Sequence, residues 1–98
     1  MRFLIKARLQ AETREPLAGN LRLRRVVGDI LDKHQVEALF FGSEAGKHCI
    51  FFVVNIAQAT RLAHITDPLH EVLNAQVDFM PATDRRRLTR VAGHRAAS

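Results

Sequence analysis

The chain has 98 residues, of which 47% are hydrophobic and 26% charged, and it contains neither tyrosine nor tryptophan. This length fits one domain, and the hydrophobic content excludes a disordered chain. The net charge is +5, with the basic excess at the two ends, and no apolar run has the length of a signal peptide or a membrane span. A single cysteine, Cys49, excludes an intramolecular disulfide, and we expect it to be buried. We therefore expect one cytoplasmic domain over residues 1–98, with a frayed tail from about residue 93.

The first element is a strand at residues 1–9, because apolar side chains alternate with basic ones. One face of this strand is apolar and the other is mixed and basic. After a polar connection that ends at Pro16, apolar residues at steps of three and four predict an amphipathic helix from about residue 17 to 34. A glycine inside this helix, Gly28, is expected to allow close approach to the sheet.

A β-hairpin follows, since apolar runs at residues 36–42 and 47–56 flank a turn that contains Gly46. The second run is apolar on both faces: Phe52 points one way and Phe51 the other, because strand side chains alternate. A sheet with one face in water alternates cleanly between apolar and polar residues, and this run does not. The sequence therefore predicts that helices cover one face of the sheet and a second copy of the chain covers the other.

Residues 58–73 predict an interrupted helical region, in which Asp67 caps a second piece that Pro68 opens. A final strand at 75–80 precedes a basic C-terminal helix. The order β–α–β–β–α–β predicts an α+β fold with a ferredoxin-like antiparallel sheet and both main helices on one face. Two such sheets stacked through their open faces would form a dimeric α+β barrel.

Four stretches between residues 1 and 83 read MRFLIKARL, GDILDKHQVEALFF, GKHCIFFVVNIAQA and DPLHEVLNAQVDFMPAT. In these stretches the sequence resembles small bacterial proteins of the dimeric α+β barrel superfamily, and the resemblance extends over almost the whole chain. The resemblance implies the fold, a homodimer and a pocket within the barrel or between helix and sheet. The superfamily includes muconolactone isomerase, cofactor-free monooxygenases and haem-degrading enzymes, but no motif carries one of their catalytic residues onto this chain, and we expect no cofactor.

Two histidines are the candidates for catalysis. His70 is expected in the first turn of the restarted helix, where it could act as a general acid–base group if it faces a pocket. His48, at the end of an apolar strand face, is the second candidate. His64 and His70 are six residues apart, which is not the spacing of two metal ligands on one helix face. We expect no metal site, and ordinary polar or capping roles are the alternative for these histidines.

Arg8, Phe52 and His64 are expected to line a ligand pocket, with the basic residues of the first strand facing an anionic ligand. The alternative that we favour for Arg8 and its basic neighbour Lys6 is ion pairing between subunits. Their expected partners there are Glu37 and Asp78.

The leading hypothesis is a homodimeric domain that binds a small, partly apolar ligand. A cofactor-independent isomerase or monooxygenase is the first alternative, and a closed pocket containing His48 or His70 would favour it. A structural or nucleic-acid interaction module that uses the basic ends is the second alternative. Without tyrosine or tryptophan no stacking platform for bases is evident, so we do not expect a nucleic-acid partner.

Overall fold

A computed structural model describes residues 1–12, 14 and 16–83, which form a four-stranded antiparallel sheet and two α-helices. The strand order β2-β3-β1-β4 and the strand–helix pattern are roughly ferredoxin-like, so the predicted α+β class is confirmed. The predicted C-terminal helix and frayed tail lie outside the described residues. Within residues 1–83, no described helix is both long enough and apolar enough to cross a membrane. The elements in chain order are β1 (Arg2–Glu12), α1 (Leu21–Lys33), β2 (Gln35–Glu44), β3 (Lys47–Asn55), a short 3-10 helix (Ala59–Leu62), α2 (Ala63–Glu71) and β4 (Gln76–Pro81).

Helix α1 begins after Asn20, whose side-chain oxygen accepts the backbone N–H of Leu23 at 3.0 Å. This cap satisfies one of the unpaired donors of the first turn and places the start four residues later than predicted. The expectation that Gly28 allows close approach to the sheet is wrong, because a Cβ built at Gly28 meets no atom within 4 Å. The side chains of α1 that are buried against the sheet are Leu23, Val26, Val27 and Ile30.

The β2–β3 hairpin turns at Ala45 and Gly46, which have φ of 53° and 77°. Positive φ at both central residues is the geometry of the tight turn whose twist matches that of a hairpin. Strand β2 therefore continues to Glu44, beyond its predicted end at residue 42, whereas β3 ends at Asn55, one residue before its predicted end. A shift in register between Val36 and Ala38 marks a bulge at the start of β2.

Helix α2 runs without interruption through Pro68, so the predicted break at Asp67 and Pro68 is wrong. Ile65 and Leu69 are four residues apart, and both are fully buried. Only a continuous helix keeps these two side chains on the sheet, at the expense of the hydrogen bond that proline cannot donate. The helix starts at Leu62 with no side-chain cap, and Asp67 is exposed in its interior.

The hydrophobic core lies between the two helices and one face of the sheet, here the helix-covered face. Burial alternates along β1, where Phe3, Ile5, Ala7 and Leu9 face the core and the residues between them do not. Ile5 pairs with Phe52 of β3, so both side chains point towards the helices. The described helices leave the other face of the sheet, here the open face, uncovered.

Candidate functional site

The open face carries a band of apolar side chains that crosses all four strands. Strand registers place Ala38, Val53, Leu4 and Met80 in one row from β2 to β4. Phe40 and Met80 are 61% and 58% exposed. Adjacent exposed apolar side chains on one face mark an interaction surface. This apolar band consists of Ala38, Val53, Leu4 and Met80 with Phe40 and Phe51 from the next row.

The remainder of the open face is charged, and its ion pairs close within the chain. Lys6 Nζ donates a hydrogen bond to the Glu44 carboxylate. Arg8 Nη1 lies 3.5 Å from the other Glu44 oxygen, and Arg8 Nη2 donates to the side-chain oxygen of Gln76. The hydrogen bond with Lys6 holds the pKa of Glu44 below its ordinary value and raises the pKa of Lys6. Glu44 is thus the acceptor that organises this part of the face.

These contacts lie within one chain, so they do not test the ion pairs expected between subunits. Glu37, one expected partner of Arg8, accepts a hydrogen bond from Arg2 Nε at 2.7 Å. Arg8 pairs with Glu44 of the same chain, and its pairing with Glu37 or Asp78 of a second copy stays a prediction. The sequence reasoning missed Glu44 because the strand register that brings it beside β1 depends on where the hairpin turns.

The predicted pocket of Arg8, Phe52 and His64 is not formed by the described residues. Phe52 is fully buried in the core on the helix-covered face. Arg8 lies opposite Cys49 on the open face, so the sheet itself separates it from Phe52. His64 is exposed on α2. The prediction combined side chains from both faces of one sheet.

The two catalytic candidates lie apart from any described cleft. His70 is in the last turn of α2, not in a first turn, and its Nδ1 is 3.3 Å from the backbone oxygen of Ala75. The C-terminal end of a helix favours cations, whereas the first turn in which the sequence places His70 would favour anions. His48 is half-buried at the hairpin end of β3, opposite Ser43. A catalytic role for either histidine stays a prediction.

His64 instead lines a cleft of 310 Å³ between α1 and α2, together with Asp29 and His34. Burial lowers the pKa of His34, and the neighbouring positive groups His64 and Lys33 lower it further. Among the residues that the structure describes, no group of three or more His, Cys, Asp or Glu side chains could hold a metal ion.

A larger and mainly apolar opening of 630 Å³ lies between α1 and the edge strand β2, here the α1–β2 groove. The sequence analysis missed this groove. The available signal was two large apolar residues, Leu31 and Phe41, that lie outside the buried stripes of their elements. Their side chains are 44% and 55% exposed. Of the described residues in its lining, Arg24 alone is charged. The full lining is Leu17, Ala18, Leu23, Arg24, Val27, Gly28, Leu31 and Phe41.

Cys49 is buried, as expected, but it lies on the open face rather than in the core. Its strand neighbours are Gly42 and Arg8. Burial raises the pKa of the thiol, and the charge of Glu44 raises it further. Little thiolate is therefore present at neutral pH, and Cys49 is poorly suited to act as a nucleophile.

No protein-family model and no curated protein matches the chain. Among solved structures, the structure of Rv0793 from Mycobacterium tuberculosis is similar, with a TM-score of 0.55 and 12% sequence identity. The match covers 87% of this chain and 98% of that chain. At such low identity the similarity shows the fold alone. It supports a small α+β fold, which is the coarser part of what the sequence resemblance implied.

Proposed function

We propose that the chain forms a homodimer through the open face of its sheet, as a dimeric α+β barrel, and that each subunit binds a small, partly apolar ligand. The observation that carries the dimer is the apolar band across all four strands. Two sheets that stack face to face bury such bands between them at a separation of about 10 Å. A chain of this length builds only a modest core alone, so a second core between two sheets adds a large share of the total burial.

The charges of the open face suit a second copy of the chain as the partner. Lys6 and Arg8 share the Glu44 carboxylate, and Asp78 lies beside Lys6 in the strand register. Arg2 pairs with Glu37. An ion left unpaired in an interface is costly, whereas an existing pair adds a smaller desolvation penalty. Stacking two such faces therefore brings the apolar bands together without leaving these charges unpaired.

The ligand half of the proposal depends on the α1–β2 groove. Its 630 Å³ falls in the range of about 300–1,000 Å³ typical of small-molecule sites. The groove lies beside α1, on the opposite side of the sheet from the apolar band. A dimer formed through the open face would leave both copies of the groove accessible.

Two adjacent phenylalanines provide a matched test of the dimer. Phe40 and Phe41 are similarly exposed, at 61% and 55%, but they lie on opposite faces of β2, paired with Phe51 and Ile50. We expect light scattering to show a wild-type dimer, a folded monomer for Phe40→Glu and a dimer for Phe41→Glu. A wild-type monomer at micromolar concentration would contradict the proposal, and a dimeric Phe40→Glu variant would place the interface elsewhere.

The enzymatic and nucleic-acid alternatives stay predictions. His48 and His70 line neither the α1–β2 groove nor the cleft between the helices. A nucleic-acid role would depend on both basic ends. Arg22, Arg24 and Arg25 lie on α1, and the arginine run at residues 85–87 lies outside the described residues. A dimeric ligand-binding domain is the function that the described geometry supports best.

A further inference from the structure

We infer that the α1–β2 groove binds an amphipathic anion, with Arg24 holding its carboxylate and the apolar walls holding an aliphatic chain. The inference rests on the proposed ligand-binding function and names the chemical class of ligand for that same site.

The walls of the groove fit an extended aliphatic chain. Leu23, Val27 and Leu31 follow one another at steps of four along α1 and line the groove. From Leu23 to Leu31 the helix rises about 12 Å, which is the length of a medium aliphatic chain. Phe41 closes the opposite side from β2, and Gly28 leaves room between them, since a Cβ built there meets no atom within 4 Å.

The charge of the groove selects an anionic head. The Arg24 guanidinium has no ion pair or hydrogen bond among the described residues. No acidic residue lies in the first turn of α1 to compete for it. A guanidinium binds a carboxylate through two parallel hydrogen bonds. A cationic amphiphile would be repelled there, and a neutral one would leave Arg24 unused.

Charge also disfavours the other occupants of the groove. Residues 84–98 of this chain carry a strong basic excess, so they share the sign of Arg24. A second copy of the chain is better accommodated by the apolar band on the open face. Both occupants are nevertheless outcomes that the following experiment distinguishes.

The experiment titrates the isotope-labelled full-length protein with decanoate and follows its backbone amide resonances. Decanol and decyltrimethylammonium are the matched neutral and cationic probes, and all three are kept below the concentrations at which they form micelles. We expect decanoate to shift the amides of Leu23, Val27, Leu31 and Phe41 and to bind about tenfold more tightly than decanol, since a charged hydrogen-bonded pair supplies that difference. We expect the cation not to bind in the groove.

Three variants assign the contacts. Arg24→Gln is expected to weaken decanoate binding about tenfold, while the affinity for decanol should stay within about twofold of the wild-type value. Arg25→Gln removes the same charge from the same helix, but Arg25 lines the cleft between the helices instead, so both affinities should be unchanged. Gly28→Leu fills the groove with a residue that favours helix, and it should abolish the binding of both probes in a folded protein.

The outcomes separate the inference from the proposed function. If decanol binds as tightly as decanoate and Arg24→Gln changes neither, the groove binds apolar ligands and only the anionic class is overturned. If no probe shifts the groove amides, the ligand half of the proposed function fails together with the inference. If Gly28→Leu shifts the amides of residues 84–98, that segment occupies the groove and the inference is overturned. If Gly28→Leu dissociates a dimer, a second copy occupies the groove instead, with the same consequence.

Discussion

Glu44 is the residue on which most of the charge arrangement of the open face depends. It accepts a hydrogen bond from Lys6 and lies beside Arg8, so two cations of β1 share one carboxylate. The contact with Lys6 lowers the pKa of Glu44. Because both side chains remain exposed to solvent, the pair contributes little net stability but fixes where charge lies beside the apolar band.

The depressed pKa of Glu44 has a defined consequence for stability against pH. A carboxyl group with a lower pKa in the folded state stabilises the fold above its ordinary pKa, and this contribution is lost as pH falls through the folded-state value. We therefore expect Glu44→Gln to lower the free energy of unfolding in urea at pH 7 and to have no such effect at pH 2. Glu71→Gln, at an exposed carboxyl in the last turn of α2, is the control and should not lower stability at either pH, because a negative charge is unfavourable at that end of a helix. Equal destabilisation by Glu44→Gln at both pH values would contradict the pairing.

Helix α2 shows, at the scale of an element, that burial can override a local start signal. Asp67 followed by Pro68 is a good cap-and-start pair, yet the helix runs through it because Ile65 and Leu69 both lie in the core. Sequence reasoning identified the strands better, since the alternation along β1 and the apolar run of β3 reflect burial directly. It could not place the start of α1 or the hairpin turn as accurately, because capping and turn geometry depend on single residues.

The continuity of α2 is tested by two substitutions at the predicted break. If the helix is continuous, Pro68→Ala restores a backbone donor in its interior and should raise the free energy of unfolding by about 1 kcal/mol. Asp67→Ala should then change it by less than about 0.5 kcal/mol, whereas loss of a true cap would cost about 1 kcal/mol. Both values come from urea denaturation. A neutral Pro68→Ala with a destabilising Asp67→Ala would indicate that a new helix begins at Pro68.

The candidate site was harder to predict than the elements, and the reason lies in how the elements assemble. Arg8 and Phe52 belong to neighbouring strands, but the register places their side chains on opposite faces. The α1–β2 groove depends on which strand lies beside α1, and this is set by the sheet order rather than by either segment alone. The sequence indicated more apolar surface than one core needs and assigned the excess to the second face of the sheet, but it did not show that part of the excess lines a groove beside α1.

At the scale of the whole molecule, the apolar surface on the two faces of the sheet would serve two separate functions. The apolar band on the open face would join two copies of the chain, while the groove beside α1 would hold the ligand on the other side. The band crosses all four strands on the open face, and the groove lies at the β2 edge on the helix-covered side. Phe40 and Phe41, adjacent in sequence, each belong to one of these surfaces.

This separation predicts that dimerisation and ligand binding are energetically independent. No described residue lines the groove and also belongs to the apolar band. Decanoate therefore makes the same contacts in the monomer and in the dimer. A ligand with equal affinity for two states cannot shift the equilibrium between them. We expect saturating decanoate to change the dimer dissociation constant, measured by sedimentation, by less than about twofold. By reciprocity, the monomeric Phe40→Glu variant should bind decanoate as tightly as the wild type, within about twofold. A tenfold or larger effect in either direction would correspond to about 1.4 kcal/mol of coupling free energy. It would mean that the sheet transmits strain from the groove to the open face, and the two surfaces would then have to be treated as one site.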